Sequence, residues 1–328
     1  MSTNTNLHKA KDKKNDEFYT QLTDVAKELK YYKGHFKGKV VYCNCDDPSQ
    51  SAFWRYFHLN FEELGLKKLI STHYDKEKPT YKMIYTGGDD NNIEIGEVTP
   101  LEGNGDFRNP ECIELLNESD IVATNPPFSI ALEFYIPQLV EYKKDFLIIG
   151  DLNWIPKAFM FPLIVENKVW LGFNTVKEFI EPDGSIKKFG NKLWFTNLDH
   201  KKRHEKLVLW KKYSSEEYPT YTNYNAINVE KVADIPIDYD GLMSVPISFL
   251  NSYNPDDFEI IGCPNYKGKY GRDEIGVKRL GEEWLQAYKD NGGTGHYTAN
   301  MEVPVYFSNN GFPKRPFSKI IIRRKSGR

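Results

Sequence analysis

Hydrophobic and polar positions along the chain fall into blocks of two different periods. Val40 to Cys45 is a short apolar run between Gly38 and Asp46-Asp47-Pro48, the pattern of a buried strand followed by a turn. From about Ser51, Phe53, Phe57, Phe61 and Leu64 recur at three- and four-residue steps, which predicts a helix that Gly65 stops. Leu69 to Tyr74 reads as another strand, ending at Asp75. Tyr81 to Tyr85 and Ile93 to Val98 flank a Gly/Asp/Asn run at 87–92 and predict a hairpin with a long tip. Asn109 then caps a helix with Pro110 at its first position. Asp120 to Thr124 predicts a strand, and Asn125-Pro126-Pro127-Phe128 follows it directly. A helix runs from Ser129 toward Tyr142, kinked or restarted at Pro137. Phe146 to Gly150 predicts a further strand. Lys168 to Phe173 and Lys192 to Asn197 predict a closing pair, turning at Pro182-Asp183-Gly184.

Strands alternating with helices imply an α/β fold, a doubly wound, Rossmann-like parallel sheet covered on both faces. Beyond about Asp199 the alternation fails. The remainder is rich in Tyr, Asn, Gly and Pro, with short strands at best, so the chain divides into an arm at 1–16, a domain at 17–198 and a second region at 199–328.

Composition narrows the class. With 40% hydrophobic and 27% charged residues the chain is an ordinary globular protein. No run approaches the ~20 apolar residues that cross a bilayer, and the polar start lacks the apolar core of a signal peptide, so a cytoplasmic protein is expected. Cys43, Cys45, Cys112 and Cys263 have no zinc spacing and read as reduced thiols, with no metal site. The net charge of −2 does not mark a nucleic-acid binder, yet the cations cluster. They gather at Lys9 to Lys14, at Lys201 to Lys212 and from Lys314 to Arg328, and each cluster taken singly also reads as a solvated surface.

The chemistry concentrates at Asn125-Pro126-Pro127-Phe128. In an open parallel sheet ligands bind beyond the carboxyl ends of the strands, and the tetrapeptide sits at such an end. Two prolines fix the backbone and remove two N–H donors, so carbonyl oxygens are presented without competition. An exocyclic amino group is a poor nucleophile because its lone pair is delocalised into the ring. Where an Asn side-chain oxygen and a backbone carbonyl each accept one of its N–H groups, the nitrogen moves toward tetrahedral geometry and can attack a sulfonium methyl in line. Phe128 offers a face for the base. Such a nitrogen is inaccessible inside a duplex, so the target base must be flipped out.

Taken with Leu7-His8-Lys9-Ala10-Lys11, Asp16-Glu17-Phe18-Tyr19-Thr20-Gln21 and Val40 to Pro48, the tetrapeptide resembles the EcoRI-type adenine-specific DNA methyltransferases. The likeness is closest over roughly the first two hundred residues. It implies the methyltransferase fold, a seven-stranded sheet with one antiparallel strand, with S-adenosylmethionine as donor and N6-methyladenine in double-stranded DNA as product. It also implies the order cofactor region, catalytic motif, target recognition region. Phe18-Tyr19-Thr20 is similar to the upstream segment that touches the methionine end of the cofactor; the other reading is a helix start. The loop Cys45-Asp46-Asp47-Pro48 departs from the glycine-rich family pattern. Its acids either hold the cofactor ammonium or form an Asx turn that caps the next helix. Asp75, beside His73 and Tyr74, is the candidate for the ribose hydroxyls. Asp106 and Phe107, in Gly105-Asp106-Phe107-Arg108, resemble the pair that meets the cofactor adenine.

For DNA, the candidates are Lys201, Lys202 and Arg203, and Lys267, Lys269, Arg272, Lys278 and Arg279 interleaved with glycines. A flexible stretch, Gly292 to His296, and Asn300 follow them. Adenine in RNA, a protein glutamine amide, or DNA binding without turnover are the competing readings; Phe128 and the basic C-terminal region favour DNA. The resemblance makes GAATTC a first guess for the recognition sequence. A cognate restriction endonuclease in the same system, without a stable complex, and action as a monomer or weak dimer complete the expectations.

Overall fold

The computed structural model describes residues 18–75, 79–127, 132–181, 183–316 and 319–325; the basic arm at 1–16 and Phe128 lie outside them. The chain forms two compact units. One comprises Met1–Trp154 and Val169–His200, the other Ile155–Lys168 and Lys201–Arg328.

The first unit is built on a mixed sheet. Its strands are β1 (Tyr19–Thr20), β2 (Val40–Cys43), β3 (Lys68–Thr72), β4 (Tyr81–Tyr85), β5 (Glu97–Pro100), β6 (Ile121–Thr124), β7 (Asp145–Asp151), β8 (Trp170–Ile180) and β9 (Ile186–Thr196). Their order is β1-β8-β9-β7-β6-β2-β3-β4-β5. The central four, β7-β6-β2-β3, run parallel, with Val41 opposite both Leu69 and Ile121. Every residue of β2 and β6 is buried, as continuous apolar strands between two helical layers require. Antiparallel strands extend the sheet on both flanks, β4 and β5 on one side and β9, β8 and β1 on the other. A seven-stranded sheet with one antiparallel member is therefore replaced, among the described residues, by nine strands with antiparallel edges. The β4–β5 and β8–β9 pairs are the hairpin and the closing pair expected from the sequence; periodicity reports burial and carries no strand direction, so it did not show that both join the parallel core antiparallel or that β1 adds an edge.

The helices follow the pattern with local departures. Ser51 caps α2 (Ala52–Leu59), where α1 is Leu22–Leu29; its Oγ accepts the Phe53 and Trp54 N–H groups, both at 3.1 Å. The helix breaks at Asn60 and resumes as α3 (Phe61–Leu64), which ends on Gly65 in the left-handed conformation, φ +64°. One predicted helix is thus two. In α4 (Pro110–Glu118) Asn109 holds the cap position, but its side chain donates to Asn104 Oδ1 at 2.9 Å instead of capping. The helix α5 (Leu132–Glu141) runs through Pro137. The outer hairpin strand predicted at 93–98 lies instead at Glu97–Pro100. The Ile95 carbonyl lies 3.1 Å from the buried His58 ring, which holds residues 90–95 on α2 and off the ladder.

The second unit is more regular than its composition predicts. Strands β10 (Ile227–Asn228), β11 (Met243–Pro246), β12 (Phe258–Gly262) and β15 (Lys319–Arg324) form a sheet ordered β10-β11-β15-β12, and β13 (Tyr306–Phe307) pairs with β14 (Pro313–Lys314). Short helices α6 (Phe161–Val165) and α7 (Arg272–Ile275) and the longer α8 (Glu282–Asp290) complete it. Among the described residues no helix is long and apolar enough to cross a membrane.

Candidate active site

The parallel strands of the first unit end on one pocket. Its wall gathers Phe18, Tyr19 and Thr20, the loop after β2 (Asn44 to Asp47, with Ser51 and Ala52), His73 and Tyr74 after β3, Gly105 to Phe107, and Asn125 to Pro127 after β6. Five segments from between residues 18 and 127 meet there, three of them because the carboxyl ends of β2, β3 and β6 are neighbours in the sheet.

The loop after β2 is held by its side chains. Asp46 is buried, accepts the Ser51 hydroxyl at 2.8 Å and the Thr124 hydroxyl, and faces the Asn125 N–H at 3.4 Å. It ties the ends of β2 and β6 to the cap of α2. Burial pushes its pKa up to about 6, against the pull of those hydrogen bonds. Asp47 Oδ1 accepts from Ser49 N at 2.9 Å, Ser49 Oγ at 2.8 Å and Tyr81 OH at 3.0 Å, and its Oδ2 lies 3.2 Å from His73 Nδ1. No residue of this loop has a positive φ, so the turn needs no glycine. Both readings of the acids meet here: they build the Asx-type turn and also line the pocket.

Asn125 is the centre of the arrangement. Its Nδ2 donates to the Phe18 carbonyl at 2.6 Å, which fixes the amide's orientation. Its Oδ1 is then left buried with no hydrogen-bond partner among the described residues, as is Thr20 Oγ1 in the same wall. A buried polar atom without a partner costs about 1–3 kcal/mol, so both atoms carry hydrogen-bonding capacity that the described residues leave unused. Pro126 and Pro127 add backbone without N–H donors.

On the opposite wall Gly105 has φ +74°, and a Cβ there would lie 2.1 Å from the His73 carbonyl oxygen. Only glycine lets the 103–107 segment lie against the end of β3. Asp106 accepts a forked pair from Arg108, Nε at 2.8 Å and Nη2 at 2.6 Å, which holds its carboxyl below the usual range. The buried Phe107 ring packs edge-on to Tyr135 at 5.0 Å, and Tyr135 OH donates to Asn44 Oδ1 at 2.7 Å.

Most residues singled out from the sequence therefore converge: Phe18, Tyr19, Thr20, Cys45, Asp46, Asp47, Asp106, Phe107, Asn125, Pro126 and Pro127 line one pocket. Pro48 and Asp75 do not line it; His73 and Tyr74 do, one and two residues before Asp75. Asn44, Ser51 and Ala52 were missed. Ser51 was legible as the start of α2, and nothing in the pattern marked the other two.

The candidate DNA contacts lie in the second unit and scatter. Arg203 is buried, with its Nη2 donating to Asn167 Oδ1. Lys269 is paired with Glu166 at 2.5 Å. Both side chains are engaged within the fold. Lys267 and Arg272 open on a common cleft, Lys278 and Arg279 are exposed, and Lys201 and Lys202 lie in a single 3₁₀ turn.

Comparison with known proteins gives a consistent result. A family model described as adenine-specific methyltransferase EcoRI matches residues 6–325. The chain is 47% identical over 292 residues to the type II methyltransferase M.EcoRI of Escherichia coli, covering 79% of this chain and 89% of that protein. It is 39% identical over 279 residues to the type II methyltransferase M.MpnI of Mycoplasma pneumoniae, covering 78% and 85%. No solved structure matches.

Proposed function

The chain belongs to the adenine-specific methyltransferase EcoRI family, and from that premise we propose that the first-unit pocket transfers a methyl group from S-adenosylmethionine to N6 of an adenine flipped out of duplex DNA. The enzyme is a site-specific adenine methyltransferase of the type II, restriction–modification kind. The observation that carries the catalytic assignment is the Asn125 amide in the pocket lining, held by the Phe18 carbonyl with its Oδ1 left buried and unpartnered.

The residues present fit the cofactor. Thr20 Oγ1 is a buried group in want of a partner, Asp46 and Asp47 offer negative charge for an ammonium, and Phe107 with Asp106 offers an apolar edge beside an acceptor. His73 and Tyr74 replace Asp75 as the nearest groups for the ribose side. When bound, S-adenosylmethionine supplies an electrophilic methyl on a sulfonium.

The chain's own part is to make the amino nitrogen nucleophilic. Asn125 Oδ1 and a carbonyl of the Asn125–Pro127 segment accept its two N–H groups and hold the lone pair toward the methyl. Methylation would leave positive charge on the amino nitrogen, and Asn125 Oδ1 and the segment's carbonyl would stabilise it until one proton leaves to solvent. Asp46 touches no reacting atom in this scheme: besides its charge toward the ammonium, it fixes Thr124 and Asn125. The second unit serves as the target recognition region, with the cations at Lys201, Lys202, Lys267, Arg272, Lys278 and Arg279 toward the DNA. One adenine is modified per event, which one chain suffices to do. A companion endonuclease acts separately on the same sequence.

Incubation with labelled S-adenosylmethionine and duplex DNA, followed by digestion, should give N6-methyladenine. Label recovered in protein or RNA, with none in DNA of diverse sequence, would overturn the assignment.

A further inference from the structure

The second unit holds an open cleft of about 630 Å³ that the catalytic chemistry does not use. Lys267, Arg272 and Arg315 line it, and none of the three has a carboxylate partner among the described residues. Some cations elsewhere in the unit do have a carboxylate beside them: Lys211 has Asp234 at 3.2 Å, Lys269 has Glu166 at 2.5 Å and Arg323 has Glu259 at 2.7 Å. Arg272 is half-buried and its Nε is buried without an acceptor. Arg315 is steadied from below, its guanidinium 5.6 Å over the Tyr297 ring and its Nη1 donating to Tyr297 OH at 3.3 Å.

The rest of the wall decides what the cations are for. A phosphate grip collects cations and neutral donors, and a carboxylate in it would repel the anion; Glu302 lies in this lining. Asn300 adds an amide and His296 a ring, while Met301 and Val303 supply methyl groups. That mixture matches the major-groove edges of bases: guanidinium for guanine O6 and N7, amide for adenine, carboxylate for the cytosine amino group, methyls for thymine. We infer that this cleft reads base edges of the target DNA, with Arg272 and Arg315 as specificity-determining residues and Glu302 as the acceptor beside them. The inference rests on the assignment of DNA as substrate and adds where its sequence is read.

The test is a random-sequence duplex pool, methylated by the full-length protein with S-adenosylmethionine and sequenced for N6-methyladenine. Wild type should return one motif. Arg272→Gln and Arg315→Gln should each widen the accepted bases at one or two motif positions, with discrimination there falling at least about tenfold. Glu302→Gln should shift preference at a neighbouring position. Arg315 is exposed, so its variant keeps the test open if Arg272→Gln melts early. Variants that methylate less while the motif stays intact, or that change nothing, overturn the inference. Absence of N6-methyladenine with wild type would instead sink the underlying substrate assignment, and this inference with it.

Discussion

The pocket of the first unit and the cleft of the second are built on opposite principles. In the pocket, Asp46, Ser51, Thr124, Asn125 and Phe18 satisfy one another, and two atoms, Asn125 Oδ1 and Thr20 Oγ1, are left over. In the cleft, whole cationic side chains are left without carboxylate partners. A small reacting group needs few acceptors held rigidly, because catalysis depends on preorganisation. A polyanion needs many charges, each adaptable, because affinity comes from counterion release and specificity from side chains that reach base edges. Mutations should therefore act on rate in the first unit and on salt dependence or sequence preference in the second.

The sharpest way to break that division is Asn125→Ala. Loss of the side-chain member of the two acceptors should lower single-turnover methylation by about 10²–10³-fold or more, while S-adenosylmethionine binding by equilibrium dialysis stays within a few-fold. Retention of most of the rate would end the acceptor mechanism. Asp46→Asn should cost less, about tenfold, because it loosens Asn125 without removing it. The same group sets a pH dependence. Its folded-state pKa stands at about 6 against the usual 3.8. Its stabilising, protonated form is thus complete below pH 3.8, and the contribution disappears as pH rises through 6. Asp46→Asn should accordingly gain stability relative to wild type between about pH 5 and pH 8 in thermal melts, and should flatten an acid limb near pH 6 in the wild-type rate. A melting difference that is the same at both pH values would remove Asp46 from the titration.

Gly105→Ala probes the other wall. The side chain would need φ +74° and would press on the His73 carbonyl, a strain of about 1–3 kcal/mol. Melting should fall by several degrees and cofactor affinity several-fold, with the DNA motif unchanged.

How much of this was legible beforehand follows from what each residue signals. Asn125-Pro126-Pro127 was visible because its composition is unusual and it follows a buried strand. Gly105 was visible as part of a motif, although its close approach to the backbone of β3 was not. The loop after β2 misled, since glycine was the expected device and carboxylate-to-hydroxyl bonds replace it at Asp46 and Asp47. Asp75 misses the wall, by one residue from Tyr74 and two from His73, because β3 ends at Thr72 and sequence boundaries carry that error. In the second unit a list of cations could not separate Lys269 or Arg203, engaged by Glu166 and Asn167, from Arg315, which lies 48 residues from Lys267 in sequence and shares its cleft. Pairing is a property of the fold.

That distinction gives the smallest and most discriminating effect. Counterion release makes log affinity fall linearly with log salt concentration, and each cation lost from a phosphate contact lowers the slope by about 1. Lys278 and Arg279 are exposed on the strand-poor surface after α7, and no carboxylate partners them among the described residues. Lys278→Ala and Arg279→Ala should each lower the slope for duplex binding by about 1, equally on target and scrambled DNA. Lys269 carries the same formal charge but is held by Glu166, a carboxylate it shares with Lys168, and an exposed pair of this kind contributes little to stability. Lys269→Ala should leave slope, motif and melting temperature where they were. If it instead changes the slope as much as Arg279→Ala does, then its pairing with Glu166 yields to DNA, and counting unpaired cations is the wrong guide to where this protein meets its substrate.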